Sequence, residues 1–153
     1  MTIQARLDEL GIVLPKAAAP VASYVPVVVH GGLAYVSGQV SIVDGELVKG
    51  RLGEELSVED GIAAARACGL MILAQLREAM IPLDSVARIV KLGCFVNSTP
   101  DFTDQPKVAN GASDLMVDVF GDIGKHARAA VGVPSLPLGV AVEVDAIIAL
   151  SDA

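Results

Sequence analysis

The sequence predicts an α+β domain in which helices pack on one face of a mostly antiparallel sheet. Three observations carry that expectation. Apolar runs are joined by tight-turn pairs, Gly31-Gly32 and Asp44-Gly45, as β-hairpins are. Two long stretches, residues 57–80 and 106–120, repeat apolar residues at helical spacing. The run from Arg128 to Asp145 reads as two apolar strands joined by a Pro/Gly turn. Hairpins and helices in this order suit one layer of helices on one sheet.

Each element has its own justification. Ile3, Leu7 and Leu10 share a helical face with Gly11 as C-cap, and Pro15 and Pro20 punctuate a connector over 12–20. Residues 25–30 and 33–40 form the first hairpin, and 41–48 the second. A polar, Gly-punctuated loop spans 49–56. Ser57-Val-Glu-Asp60 opens the longest helix in capping-box style, with Ala63, Ala67, Leu70, Leu73 and Ala74 as a small-residue stripe. Residues 86–96 are a third apolar strand region, closed by Asn97-Ser-Thr-Pro-Asp101. The second helix turns Val108, Ala112, Leu115 and Val119 inward and stops at Gly121. A last hairpin is expected after it. The whole chain, 1–153, reads as a single domain with residues 1–20 as an N-terminal helical extension.

Composition narrows the function. Hydrophobic residues make up 53% and charged residues 19%, more apolar than an average soluble domain. No run approaches the length of a membrane span, and the first ten residues carry acids rather than a signal core. The apolar excess therefore favours burial against other subunits. A formal charge of −7 with scattered Lys and Arg weighs against nucleic acid as a partner. Cys68 and Cys94 are isolated thiols without CxxC spacing, which reads as core residues in a reducing, cytoplasmic setting. His30 and His126 are the two histidines, too few and too far apart for a His-based metal site or a Ser-His-Asp triad. Neither Gly31-Gly32 nor Gly50-Arg-Leu-Gly53 has phosphate-loop spacing, and His126 reads as a loop residue.

On the exit strand, Val140, Val142, Val144 and Ala146 alternate with Ala141, Glu143 and Asp145, so both acids share a face. A charge on so apolar a strand needs a reason, because an unpaired buried charge is expensive. Glu143 is either on a solvated face or a water-handling acid. Asp145 suits a subunit-interface pair. Arg128 is either a salt-bridge partner or a carboxylate clamp, for which its planar fork is better shaped than lysine.

Three segments together resemble the RidA (YjgF) family. They are Tyr35-Val-Ser-Gly-Gln39, Ile89-Val-Lys-Leu-Gly-Cys-Phe-Val96, and Arg128 through Leu136-Pro-Leu-Gly139 to Val142-Glu143. The resemblance covers most of the chain from Tyr24 onward. It implies a chorismate-mutase-like, RidA-like trimeric fold and hydrolysis of reactive imines and enamines in clefts between subunits, without metal or cofactor. Residue by residue, Arg128 matches the arginine that pairs with the substrate carboxylate, and Glu143, fifteen residues on, the acid that handles water. Tyr24, Ser37 and Gly38 match pocket positions. The family's pocket cysteine is Ala130 here. Its helix asparagine falls on Ser113, with Asn110 one turn earlier on the same face. These departures, the insert 103–107 and the N-terminal extension mark a divergent branch. The expected activity is release of ammonia from a small 2-imino acid to give a 2-oxo acid. A non-catalytic module binding small carboxylate metabolites is the alternative, and an RNA-directed activity ranks last because stacking aromatics are scarce.

Overall fold

The computed structural model describes residues 1–20 and 23–151. Its first element, α1 (Ile3–Glu9), is capped by Thr2, whose hydroxyl accepts from the Ala5 amide. Gly11, at φ +68°, turns the chain out of the helix as only glycine does cheaply. Leu7 lies in the core, and Ile12 and Leu14 follow it, so the extension is packed down. Arg6 Nε donates to the Asp118 carbonyl at 2.8 Å and ties α1 to the second long helix.

Five strands form the main sheet: β1 (Val27–His30), β2 (Leu33–Val40), β5 (Val86–Asn97), β6 (Ala127–Val133) and β7 (Val142–Leu150). Their spatial order is β1-β2-β7-β5-β6. All neighbours run antiparallel except β5 and β6, which are parallel. Gly31-Gly32 closes β1 to β2 with both φ values positive, the signature of a tight hairpin turn. The second hairpin stands apart as a two-stranded ribbon, β3 (Ile42–Val43) with β4 (Glu46–Leu47), turning on Asp44 and Gly45, again at positive φ.

The expected last hairpin is not formed. β6 and β7 never pair, because β5 lies between them. β6 takes the outer edge of β5, and residues 134–141 cross the end of β5 to reach β7. Alternation of apolar residues identifies strands but carries no information about which strand sits next to which. The connection also departs from hairpin geometry: Pro134 and Pro137 offer no ladder N–H, and Leu138 sits at φ +61°.

The two long helices, α2 (Val58–Glu78) and α3 (Gln105–Phe120), cover one face of the sheet. α2 begins with a complete capping box between Ser57 and Asp60. Its buried surface is wider than the expected stripe. It runs almost all round from Ala64 to Leu76, because α2 is covered by both the sheet and α3, while Ala63 is exposed. Small residues set the approach of the helices. A methyl group on Gly111 of α3 would collide with the Ile62 carbonyl of α2.

The other face of the sheet is bare in a single chain. Val28, Tyr35, Phe95, Val131 and Ile147 lie on it, and Val28, Tyr35 and Val131 are each more than two-fifths exposed. Among the described residues no helix is long and apolar enough to cross a membrane, and no group of three or more potential metal ligands occurs.

Candidate functional site

The sequence-predicted residues fall into two clusters on opposite faces of the sheet. The first is built on an irregularity in β2. Between Val36 and Gln39, β2 advances three residues while β7 advances two, from Ala146 to Val144. This bulge at Ser37-Gly38 re-aims the strand, as bulges beside functional sites do. The Ser37 amide donates to the Pro26 carbonyl at 2.9 Å, and the Ser37 hydroxyl donates to the same oxygen at 3.3 Å.

The bulge brings Gly38 against Glu143 of β7. A methyl group at Gly38 would stand 2.5 Å from Glu143 Oε2 and 2.8 Å from its Cδ. Glu143 is half-buried, and its carboxyl is pushed above the usual carboxylate range by burial and then by the neighbouring charge of Asp145. Asp145 is raised by its own burial, an effect opposed by a backbone hydrogen bond from Gly93 and by Lys91. Tyr24, Ser37, Gly38 and Glu143 line one cavity of about 320 Å³, whose remaining walls include Met71, Gln75 and Leu138. The buried Gln75 amide donates to Gln39 Oε1 at 3.1 Å and to the Ala18 carbonyl at 2.8 Å, clamping the N-terminal connector over the cavity. A larger apolar cavity of about 640 Å³ lies under the same connector and shares Ala18, Ile42 and Met71 with the first.

The second cluster sits at the β6 edge, on the side facing α3. Arg128 pairs with Leu92 of β5, whose side chain is buried beneath the helices. Its Nη1 donates to Asn110 Oδ1 at 2.7 Å and to Ser113 Oγ at 3.1 Å. Among the described residues no carboxylate pairs with it, and its Nε and Nη2 have no hydrogen-bond partner. That leaves the edge of the guanidinium suited to a bidentate carboxylate unused. Ala130, two residues on, follows Arg128 on the same face and packs its methyl on the core opposite Cys94.

Arg128 and Glu143 are therefore not together in one chain. Glu143 pairs with Phe95 of β5 and Arg128 with Leu92, an odd number of residues apart with no register shift between them. Their side chains leave opposite faces of the sheet. The structure gathers Tyr24, Ser37, Gly38 and Glu143 on one side, and Asn110, Ser113, Ala130 and Arg128 on the other.

Two participants escaped the sequence reading. His126 lies in the loop just before β6, as expected, but it is also part of the Arg128 cluster, since its Nε2 lies 2.8 Å from Ser113 Oγ. Its position two residues before Arg128 was the available signal, because alternate residues of an extended chain share a face. Gln75 carried none, as a polar residue late in an amphipathic helix ordinarily faces solvent.

The chain matches the family model described as "YjgF/chorismate mutase-like, putative endoribonuclease" over residues 4–149. Protein TCP17 of Trypanosoma cruzi is 53% identical over 152 residues, covering 98% of this chain and 95% of that protein. Among solved structures, the protein Atu1372 of Agrobacterium tumefaciens is 44% identical, with a TM-score of 0.90 over 97% of this chain and 92% of that one. RidA from an Antarctic Psychrobacter is 28% identical with a TM-score of 0.61, covering 88% of this chain and 94% of its own. Sequence and fold together make this chain a member of the YjgF family, to which RidA belongs.

Proposed function

We propose that the protein hydrolyses small 2-imino acids to 2-oxo acids and ammonia, as a homotrimer whose sites lie between subunits. One observation carries this reading: a half-site with an acid and no cation, and a half-site with a cation and no acid, occupy opposite faces of one sheet. Neither completes itself within the chain. A second copy that lays its Arg128 edge against the Glu143 cavity of the first completes both. Such a contact joins unlike surfaces and repeats around a closed ring. The bare apolar face of the sheet supports the same assembly, since a patch of this kind on a soluble protein marks an interface. The number three comes from the family resemblance.

In the assembled site the open edge of Arg128 takes the substrate carboxylate bidentately and so fixes the imine carbon. Glu143, with its raised pKa, holds a proton closer to neutrality than an ordinary carboxylate. It gives that proton to the imine nitrogen and then accepts one from the attacking water. Glu143 passes the proton taken from water to the amine nitrogen of the carbinolamine, the C–N bond breaks to release ammonia, and the hydroxyl gives its proton back to Glu143 as the 2-oxo group forms. Imines are reactive enough that positioning and one acid/base group suffice. The largely apolar walls of the cavity, Met71 and Leu138 among them, suit an apolar substrate side chain.

The family description also carries an endoribonuclease activity. A formal charge of −7, with Lys and Arg scattered along the sequence and no basic run, weighs against RNA here. The test is a deamination assay on imino acids generated in situ. Arg128→Ala, folded and assembled, is expected to lose most of the rate. Turnover equal to wild type would remove Arg128 from the mechanism. Binding of 2-oxo acids without any turnover would favour a non-catalytic carboxylate-binding module.

A further inference from the structure

Beside Arg128 lies a chain of hydrogen bonds whose directions are fixed by chemistry. His126 Nδ1 is 2.6 Å from the Gly124 carbonyl oxygen. A carbonyl only accepts, so Nδ1 carries the hydrogen. In the neutral ring Nε2 is then a bare acceptor, and the Ser113 hydroxyl, 2.8 Å away, donates to it. That orients the lone pairs of Ser113 Oγ toward Arg128 Nη1, which donates to it at 3.1 Å. Guanidinium, hydroxyl, imidazole and carbonyl thus form one polarised sequence in which every donor meets an acceptor.

The geometry points to Ser113 and His126 as positioning residues that hold the Arg128 guanidinium for a carboxylate only while the imidazole is neutral. The inference rests on the reading of Arg128 as the carboxylate clamp. Protonation of Nε2 reverses the last link. The imidazolium then donates to Ser113 Oγ, which is already accepting from Arg128, and two cations face one hydroxyl.

Among the described residues no carboxylate is paired with His126 or Arg128 to offset this. The recess shared by Ser113, Val117, Lys125, His126 and Arg128 contains no carboxylate among its lining residues. From α3 it receives only Ser113 and Val117, neither of which titrates. Lys125 stands beside the histidine with its ammonium 3.2 Å from Asp122. From β5, Arg88 reaches the Lys125 carbonyl with Nε at 3.0 Å and Nη2 at 2.6 Å. Among the described residues, the ring's own hydrogen-bond partners, Gly124 O and Ser113 Oγ, are both uncharged. Asn110 gives Arg128 a second anchor that does not titrate, so capture weakens at acid pH without vanishing.

The experiment measures binding of 4-methyl-2-oxopentanoate, a stable branched 2-oxo acid, by calorimetry between about pH 8 and about pH 5, where imidazoles take up protons. KM and kcat for imine hydrolysis are followed alongside. Wild type is expected to lose roughly tenfold in affinity across the range. His126→Gln keeps an acceptor for Ser113 but cannot titrate, so it should hold the alkaline affinity with the acid-side step gone. His126→Leu removes the acceptor and should raise Kd and KM about tenfold at every pH, with kcat within about twofold of wild type. An acid-side loss in His126→Gln equal to that of wild type, or unchanged Kd in a folded His126→Leu, would overturn the inference. Arg128→Ala separates the two claims. If it binds the oxo acid as well as wild type, the clamp itself is wrong; if it fails to bind while the His126 variants behave as wild type, only the positioning role is wrong.

Discussion

Gly38 is bare so that Glu143 can lie across it. The Glu143 carboxylate occupies the space a Gly38 methyl would fill, with Oε2 2.5 Å from that position. The close approach is possible because the Ser37-Gly38 bulge turns the backbone of β2 toward β7.

Gly38→Ala should therefore displace the acid while leaving the fold intact. The expected result is a fall in kcat of roughly tenfold to a hundredfold, the scale of a misplacement near 1 Å. A circular dichroism spectrum like that of wild type would show that structure was kept. Unchanged kcat would mean that the carboxylate acts from another position.

Glu143→Gln should separate activity from stability. A carboxyl whose pKa is raised on folding contributes stability that is fully present below its unfolded pKa and lost as pH rises through the folded value. At pH 7 the ionised Glu143 is thus a burden, and the amide should melt higher despite losing activity. Because the group is half-exposed and screened, the gain should stay under about 1 kcal/mol. The difference between variant and wild type should shrink as pH falls through the raised pKa of Glu143. A variant less stable than wild type at pH 7 would contradict the burial argument. Such exchange of stability for function is common at active sites.

Arg128→Lys keeps the charge but gives up the planar fork. The open Nε and Nη2 edge is what bidentate capture needs, and a lysine ammonium offers a point charge instead. KM should rise about tenfold or more, with a smaller effect on kcat. An unchanged KM would show that the site wants only positive charge.

Gly111→Ala tests the helix layer. A methyl there meets the Ile62 carbonyl of α2, which cannot move without shifting the helix. Urea unfolding should show a loss of about 1–3 kcal/mol, the range for overpacked cores.

Local chemistry was legible in the sequence, and long-range arrangement was not. The Gly31-Gly32 and Asp44-Gly45 turns, the Ser57–Asp60 capping box and the Gly121 stop appear where turn and cap preferences put them. Helix and strand boundaries differ by only a few residues from the periodicity. What the sequence could not give was adjacency. The inward pattern of β6 and β7 is the same whether they pair with each other or with β5, and so the expected hairpin dissolved into a parallel edge strand. The same gap hid the separation of Arg128 from Glu143, since their faces depend on the register of each against β5. Side-chain partnerships between distant elements, such as Gln75 with Gln39 and His126 with Ser113, left no trace in spacing.

The central claim is that one working site takes its arginine and its acid from different copies. Mixing tests it most directly. Arg128→Ala and Glu143→Gln, each inactive alone, are unfolded together, refolded as mixed oligomers and assayed for imino-acid deamination. If each site draws Arg128 from one subunit and Glu143 from its neighbour, an equal mixture should regain about a quarter of wild-type activity, the chance that both intact residues meet in a closed ring. No recovery from well-mixed oligomers, with both parents folded, would contradict the account.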